Sequence, residues 1–310
     1  MRLQEKIAHS RASLPVMAAY ALLVCGACGA VEHRMWAQVL LLFFSTLLVV
    51  ELERTGMLYR FYSRMASCVF LAMTTMATFL FPSIKGAGVG LSLLAFHLLA
   101  FQAYQDNRSV GWLFYAFFAL SMGSILFPQL LFFVPLFWLL TATLLSALSW
   151  RTLLASLLGL ATPYWLMAGY AASQGTLPTL ATHFQSLVTF GQPFDFSCLD
   201  SHQLATGAGV VLMGMGGAAH FLHTSHRDKV RTRMVYEWFI ITLLATIAFA
   251  LACPEHYDQL LRIATLCAAP LTGRFVALAR GRVALVAKSL FLLSLLAITA
   301  YNLWMPSFNF

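Results

Sequence analysis

The sequence is short of charge. Of 310 residues, 19 are Lys or Arg and 11 are Asp or Glu, so 10% of the chain is charged where soluble domains carry about a quarter. That deficit excludes a water-soluble enzyme. Acidic residues are the scarcer sign, and the net charge of +8 with a pI near 9.4 would suit nucleic acid if the cations formed one continuous patch. They stand instead in short clusters between apolar runs, the pattern that membrane insertion leaves, so no nucleic-acid partner is expected. Also absent are a GxxxxGK phosphate loop, a metal-ligand or nucleophile spacing, and a repeat of fixed period. No cofactor, no metal and no internal duplication are expected on that basis.

What is present is apolar. Hydrophobic residues make up 60% of the chain and the mean hydropathy is +0.79. At about 20 apolar residues per bilayer crossing, the length allows roughly 12 crossings and leaves no room for a soluble domain of ordinary size. The runs between polar breaks predict an all-α, polytopic transmembrane bundle, one integral membrane domain over residues 1–310. Eleven helices are expected near residues 14–31, 36–52, 66–82, 87–104, 110–127, 129–149, 152–171, 204–223, 234–253, 259–279 and 284–304. The first run follows a basic amphipathic start, MRLQEKIAHS, and resembles a signal-peptide core. The brief turn Glu32, His33 and Arg34 before the next run favours an uncleaved first helix.

With the N-terminus cytoplasmic, sixteen basic residues fall on inner segments, from Arg2 to Lys288, and three (Arg34, Lys85 and Arg262) on outer ones. The acids divide almost evenly, and a bias in Lys and Arg alone is what the orientation rule requires. The bias reads as a multi-pass membrane chain inserted with its N-terminus inside. The tightest connection is Phe127, Pro128 and Gln129. If the two runs it joins form a re-entrant hairpin, every later element changes sides.

Few residues are placed to carry chemistry. The longest outer loop, 172–203, holds His183, Gln192, Asp195, Asp200 and His202 among phenylalanines 184, 190, 194 and 196, an amphipathic stretch suited to the membrane surface. Its acids and imidazoles, joined by Glu255, His256 and Asp258 of CPEHYDQ, read as a pocket for a polar headgroup, a metal or a proton transfer, with Asp195, Asp200, His202, Glu255, His256 and Asp258 as the candidate catalytic set. The alternative is a set of ordinary solvated loop residues. Arg54, Arg60 and Arg64, with Tyr59 and Tyr62, are candidates for a lipid-phosphate site, against a local Glu51–Arg54 ion pair. His220, His223 and His226 precede a basic tract (Arg227, Lys229, Arg231, Arg233) that reads as the inner end of a helix attracting anionic lipid, the alternative being a metal held by His220 and His223 on one helical face. His97, inside an apolar run, is read as a neutral imidazole bonded to a neighbouring helix. The glycines of GAGVG (86–90) and GAGVVLMGMGG (207–217) are read as helix packing. Among six cysteines, Cys198 and Cys253 lie on the outer side, where a bridge is allowed.

Residues 107–171 contain Ser124, Leu126, Phe127 and Pro128, followed by Ser149, Trp150, Arg151, Gly159 and Pro163. Together with the order of charges from Arg227 through LRIATLCAAPLTGRFVALARGR, these elements resemble an uncharacterised family of polytopic bacterial inner-membrane proteins, a domain of unknown function, over about two thirds of the chain. That resemblance implies membrane topology and no catalytic residue. The same regions are faintly similar to multi-helix glycosyltransferases that use polyprenyl-phosphate sugars. Those enzymes place their catalytic acid in a large first outer loop, and here the first outer segment is VEHRMW, with Glu32 alone. The expected function is an accessory or scaffold role in cell-envelope biogenesis, with membrane lipids, lipid-linked glycans or other envelope proteins as partners. A membrane-embedded transferase is the alternative, and a small-solute transporter the third reading.

Overall fold

A computed structural model describes residues 12–56, 63–175, 177–185, 187 and 193–304. No strand occurs among them. The α-helices are α1 (Ser13–Ala27), α2 (Trp36–Thr55), α3 (Met65–Met76), α4 (Ile84–Ala100), α5 (Val110–Leu126), α6 (Val134–Thr143), α7 (Trp150–Ser173), α8 (Leu177–Gln185), α9 (Ser201–Thr224), α10 (Val230–Ala252), α11 (Tyr257–Leu278) and α12 (Arg282–Trp304). Short 3-10 turns extend or join several of them, notably at Thr78–Leu80, Pro128–Phe133, Phe196–Cys198 and Pro254–His256.

Each of the eleven apolar runs holds a helix. Seven are long and apolar enough to cross a bilayer: α2, α4 with its extension to Ala103, α7, α9, α10, α11 with its turn from Pro254, and α12. The remaining four apolar helices, of 10–17 residues, fall short of the roughly 20 that a straight crossing needs. Two runs are shorter in helix than their apolarity predicts. The run at 66–82 breaks after Met76. The run at 129–149 becomes a 3-10 turn led by Pro128, then a ten-residue helix ending at Thr143. Beyond it the chain leaves helical geometry, with Ser146 at φ +51°. Proline at the start withholds an N–H from the ladder, and apolarity alone does not reveal either interruption.

The chain forms two compact units, one of residues up to 87 and from 194 onward, the other of 88–193. In the smaller unit α5 packs against α7. A β-carbon at Gly159 would meet the Phe114 carbonyl oxygen, so the two backbones touch there. Ser121 Oγ donates to Leu160 O (2.7 Å), Ser124 Oγ lies 2.7 Å from Tyr164 Oη, and Trp138 Nε1 donates to Ser156 Oγ (3.0 Å). Ser149 caps α7, exchanging bonds with Thr152 in a capping box. Several residues of the Ser124-to-Pro163 motif therefore cap and pack this unit.

In the larger unit α11 is the buried axis, surrounded by α3, α9 and α10. Most of α3 is buried as well. α9 and α11 run parallel, since Gln203 meets Asp258 at one end and Thr224 meets Arg274 at the other. Glycine permits the closeness: a β-carbon at Gly217 would stand against the Leu271 carbonyl, and one at Gly207 against the Tyr257 hydroxyl. The glycines of 207–217 are packing residues.

Candidate functional site

At the Asp258 end of α11 the two outer segments come together. Gln203 Nε2 donates to Asp258 Oδ1 (2.9 Å), Tyr257 Oη donates to Gln203 O (2.8 Å), and the 3-10 turns at Phe196–Cys198 and Pro254–His256 pack on each other. Glu255 and His256 sit in the second turn. His202 is buried, edge-on to Phe79 at 5.1 Å. Two of the acids here serve the backbone. Asp195 Oδ1 accepts from Ser197 N (3.0 Å) and Ser197 Oγ (2.6 Å), which holds its carboxyl below the usual range. Asp200 stands at the N-cap of α9, its N–H donating to Gln203 Oε1 (3.0 Å). Cys198 and Cys253 are free thiols; Cys198 Sγ donates to Asp195 O (3.4 Å), and burial raises Cys253.

Beside this cluster lies a break in α3. Residues 77–83 leave the α-helical ladder, so carbonyls near the break lose their intrahelical partners. Three side chains from three helices supply them. Asn302 Nδ2 of α12 donates to Met76 O (2.7 Å) and to Thr206 Oγ1 (2.9 Å). Arg262 Nη2 of α11 donates to Leu80 O, and Gln38 Nε2 of α2 donates to Pro82 O (3.0 Å). Gly86 leaves room for the guanidinium, which a β-carbon would strike.

The other end of α11 holds what the sequence reading missed. Arg274, 2% exposed, pairs with Asp228 Oδ2 at 2.5 Å and donates to Thr224 Oγ1 (3.3 Å). Its guanidinium carbon lies 5.1 Å from the Phe221 ring centroid and 5.0 Å from that of Tyr236, within cation–π range. Nearby Glu53, also buried, caps a helix other than its own. Ser67 N donates to Oε1 (2.9 Å) and Ser67 Oγ to Oε2 (2.7 Å), at the third residue of α3. A carboxylate there meets unpaired N–H groups and the positive end of the helix. The signal for Arg274 was its place within the apolar run LCAAPLTGRFVALA, since an arginine buried at that depth requires a partner.

Of the proposed lipid-phosphate residues, Arg54 makes the expected ion pair with Glu51 (2.6 Å). Arg64 Nη1 donates to Val50 O (3.2 Å) and lies 3.9 Å from Glu53 Oε2. Arg60, Tyr59, Tyr62, Phe190 and Gln192 lie outside the described residues. His97 is fully buried in the smaller unit with Nδ1 2.6 Å from Leu93 O. His183 lies against Tyr164 and Phe184, and burial lowers its basicity. His220 sits edge-on to Phe275 (5.3 Å). Among the described residues no three His, Cys, Asp or Glu side chains gather in a way that could hold a metal. No family model, curated protein or solved structure matches this chain.

Proposed function

We propose that the chain is a multi-pass protein of the bacterial inner membrane, N-terminus in the cytoplasm, with eleven crossings and an accessory or scaffold role in handling lipid-linked envelope components. The seven long apolar helices support membrane residence. Setting aside the two arginines held within α11, fifteen basic residues against two still support the orientation. The likeness to an uncharacterised inner-membrane family belongs to the same proposal.

One observation carries the choice of scaffold over transferase: three of the candidate carboxylates hold structural hydrogen bonds. Asp195 closes its own turn, Asp200 opens α9, and Asp258 receives Gln203. A catalytic acid or base must reach the reacting group of a substrate. The test is complementation of a strain lacking the protein, scored by envelope composition. Asp195→Asn and Glu255→Gln are expected to support normal growth and composition at normal protein level. Loss of function with the protein level intact would overturn the scaffold reading in favour of the transferase. For topology, an alkaline phosphatase fused after Phe310 is expected to be active, and an inactive fusion beside a fluorescent cytoplasmic reporter would reject the odd number of crossings.

A further inference from the structure

A cavity of about 620 Å³ lies in the larger unit among α1, α3, α11 and α12, within the roughly 300–1,000 Å³ typical of ligand sites. Its walls are almost wholly apolar, with Val69, Ala72, Met213 and Val276 inside. Val16 and Leu292, the latter 61% exposed, stand where the cavity reaches the surface beside α1 and α12. The lining runs from Leu285 to Leu295 on α12 and from Met65 to Ala72 on α3, roughly 15 Å and 10 Å along the two axes. That depth is no more than about half of the hydrocarbon core of about 30 Å, so the cavity spans about one leaflet.

Two polar groups give the cavity direction. Thr272 lines it, is 2% exposed, and its hydroxyl has no hydrogen-bond partner among the described residues. Other helical threonines, including Thr265 on the same helix and Thr75, Thr206, Thr242 and Thr246, donate to the carbonyl four residues back. A buried hydroxyl left over beside a cavity costs free energy unless something enters to accept or donate. Lys288 also lines the cavity, near its Ser13 end. One of its three ammonium protons goes to Ala279 O (2.8 Å), and among the described residues it forms no ion pair. Arg280 adds a second positive charge within electrostatic reach.

We infer that this cavity takes one acyl chain of an anionic glycerophospholipid, entering sideways from the leaflet at the Lys288 end, with the phosphate at Lys288 and the ester region at Thr272. This deepens the lipid-handling reading and rests on it. The experiment uses the full-length protein in nanodiscs of phosphatidylcholine doped with phosphatidylglycerol carrying a diazirine on its acyl chain. Phosphatidylcholine with the same tail is the control, and cross-links are mapped by mass spectrometry. Phosphatidylglycerol is expected to label Val69 and Val276 about fivefold more than phosphatidylcholine does, the factor expected from one well-placed cation. Lys288→Gln is expected to abolish that preference while Lys288→Arg keeps it. Ala72→Trp is expected to abolish labelling of the lining with either lipid. If that substitution prevents folding, Leu292→Trp at the exposed mouth is expected to have the same effect on a folded protein. The inference is overturned if Val69 and Val276 label no more than the lipid-facing Leu212, or if Leu292→Trp leaves their labelling unchanged. Absent labelling in a protein whose deletion alters lipid-linked components rejects the cavity alone. Strong labelling in a protein whose deletion alters nothing rejects the scaffold role alone.

Discussion

Two arginines, Arg262 and Arg274, lie on the same helix roughly 18 Å apart, and their solutions differ. Arg274 has a carboxylate, a hydroxyl and two aromatic faces. Arg262 has a backbone carbonyl released by a break in α3 and, in its neighbourhood, Asp258. The first pairs charge with charge, and the second spends a charge on a gap in hydrogen bonding. The cost of losing them should differ accordingly, because a stranded buried carboxylate is worse off than a stranded carbonyl.

The largest effect is expected at the Asp228 pair. Arg274→Met should destabilise the folded protein by about 3–5 kcal/mol, since it removes the cation paired with the buried Asp228 carboxylate. The double variant Arg274→Met with Asp228→Leu should recover most of that. Both are read by unfolding of purified protein in detergent, and a double variant as unstable as the single one would show that the charge pair is not the source. Next come Arg262→Met and Asn302→Ala, each expected to cost about 1–3 kcal/mol for a buried carbonyl left unmatched. If Arg262→Met proved as damaging as Arg274→Met in the same assay, the contrast between the two ends would collapse.

Glu53→Ala should cost about 1–2 kcal/mol through loss of a helix cap. Glu53→Gln, which keeps one acceptor, should cost less, and hydrogen exchange at the start of α3 separates the two. Smallest is the exposed Glu51–Arg54 pair, whose removal should change stability by less than about 1 kcal/mol. Any change there should fade with added salt; a larger, salt-insensitive loss would mean that the pair does more than join neighbours on α2.

Apolar run length made the helices legible, because one physical quantity, transfer to hydrocarbon, governs it. The interruptions at 77–83 and 144–149 were not legible, since each depends on partners far along the chain: Asn302 for Met76, and within the smaller unit Gln105, whose N–H donates to Leu145 O at 2.8 Å. The outer segments were legible as neighbours, but the use of Asp195 and Asp200 as turn and helix caps was obscured by reading them for chemistry. The clearest omission was Asp228. Set among Arg227, Lys229, Arg231 and Arg233, it reads as a minor dilution of a basic tract, whereas its partner lies on another helix. Counting Arg274 as a loop charge hid the pair from both sides.

The fastening of the α3 break has a consequence for biosynthesis. Met76 and Asn302 are 226 residues apart in sequence. At the usual ribosomal pace of about 5–20 residues per second, the third apolar run waits roughly 10–45 s for the residue that completes it. For most of that interval its interrupted backbone lacks two of its three clasps, since Arg262 follows Leu80 by 182 residues and only Gln38 is already in place. Arrival of α12 therefore closes the larger unit as a final latch. A chain stopped before Asn302 is expected to be degraded faster than the full chain in a pulse-chase, and Asn302→Ala in the full chain tests whether that one amide is the cause.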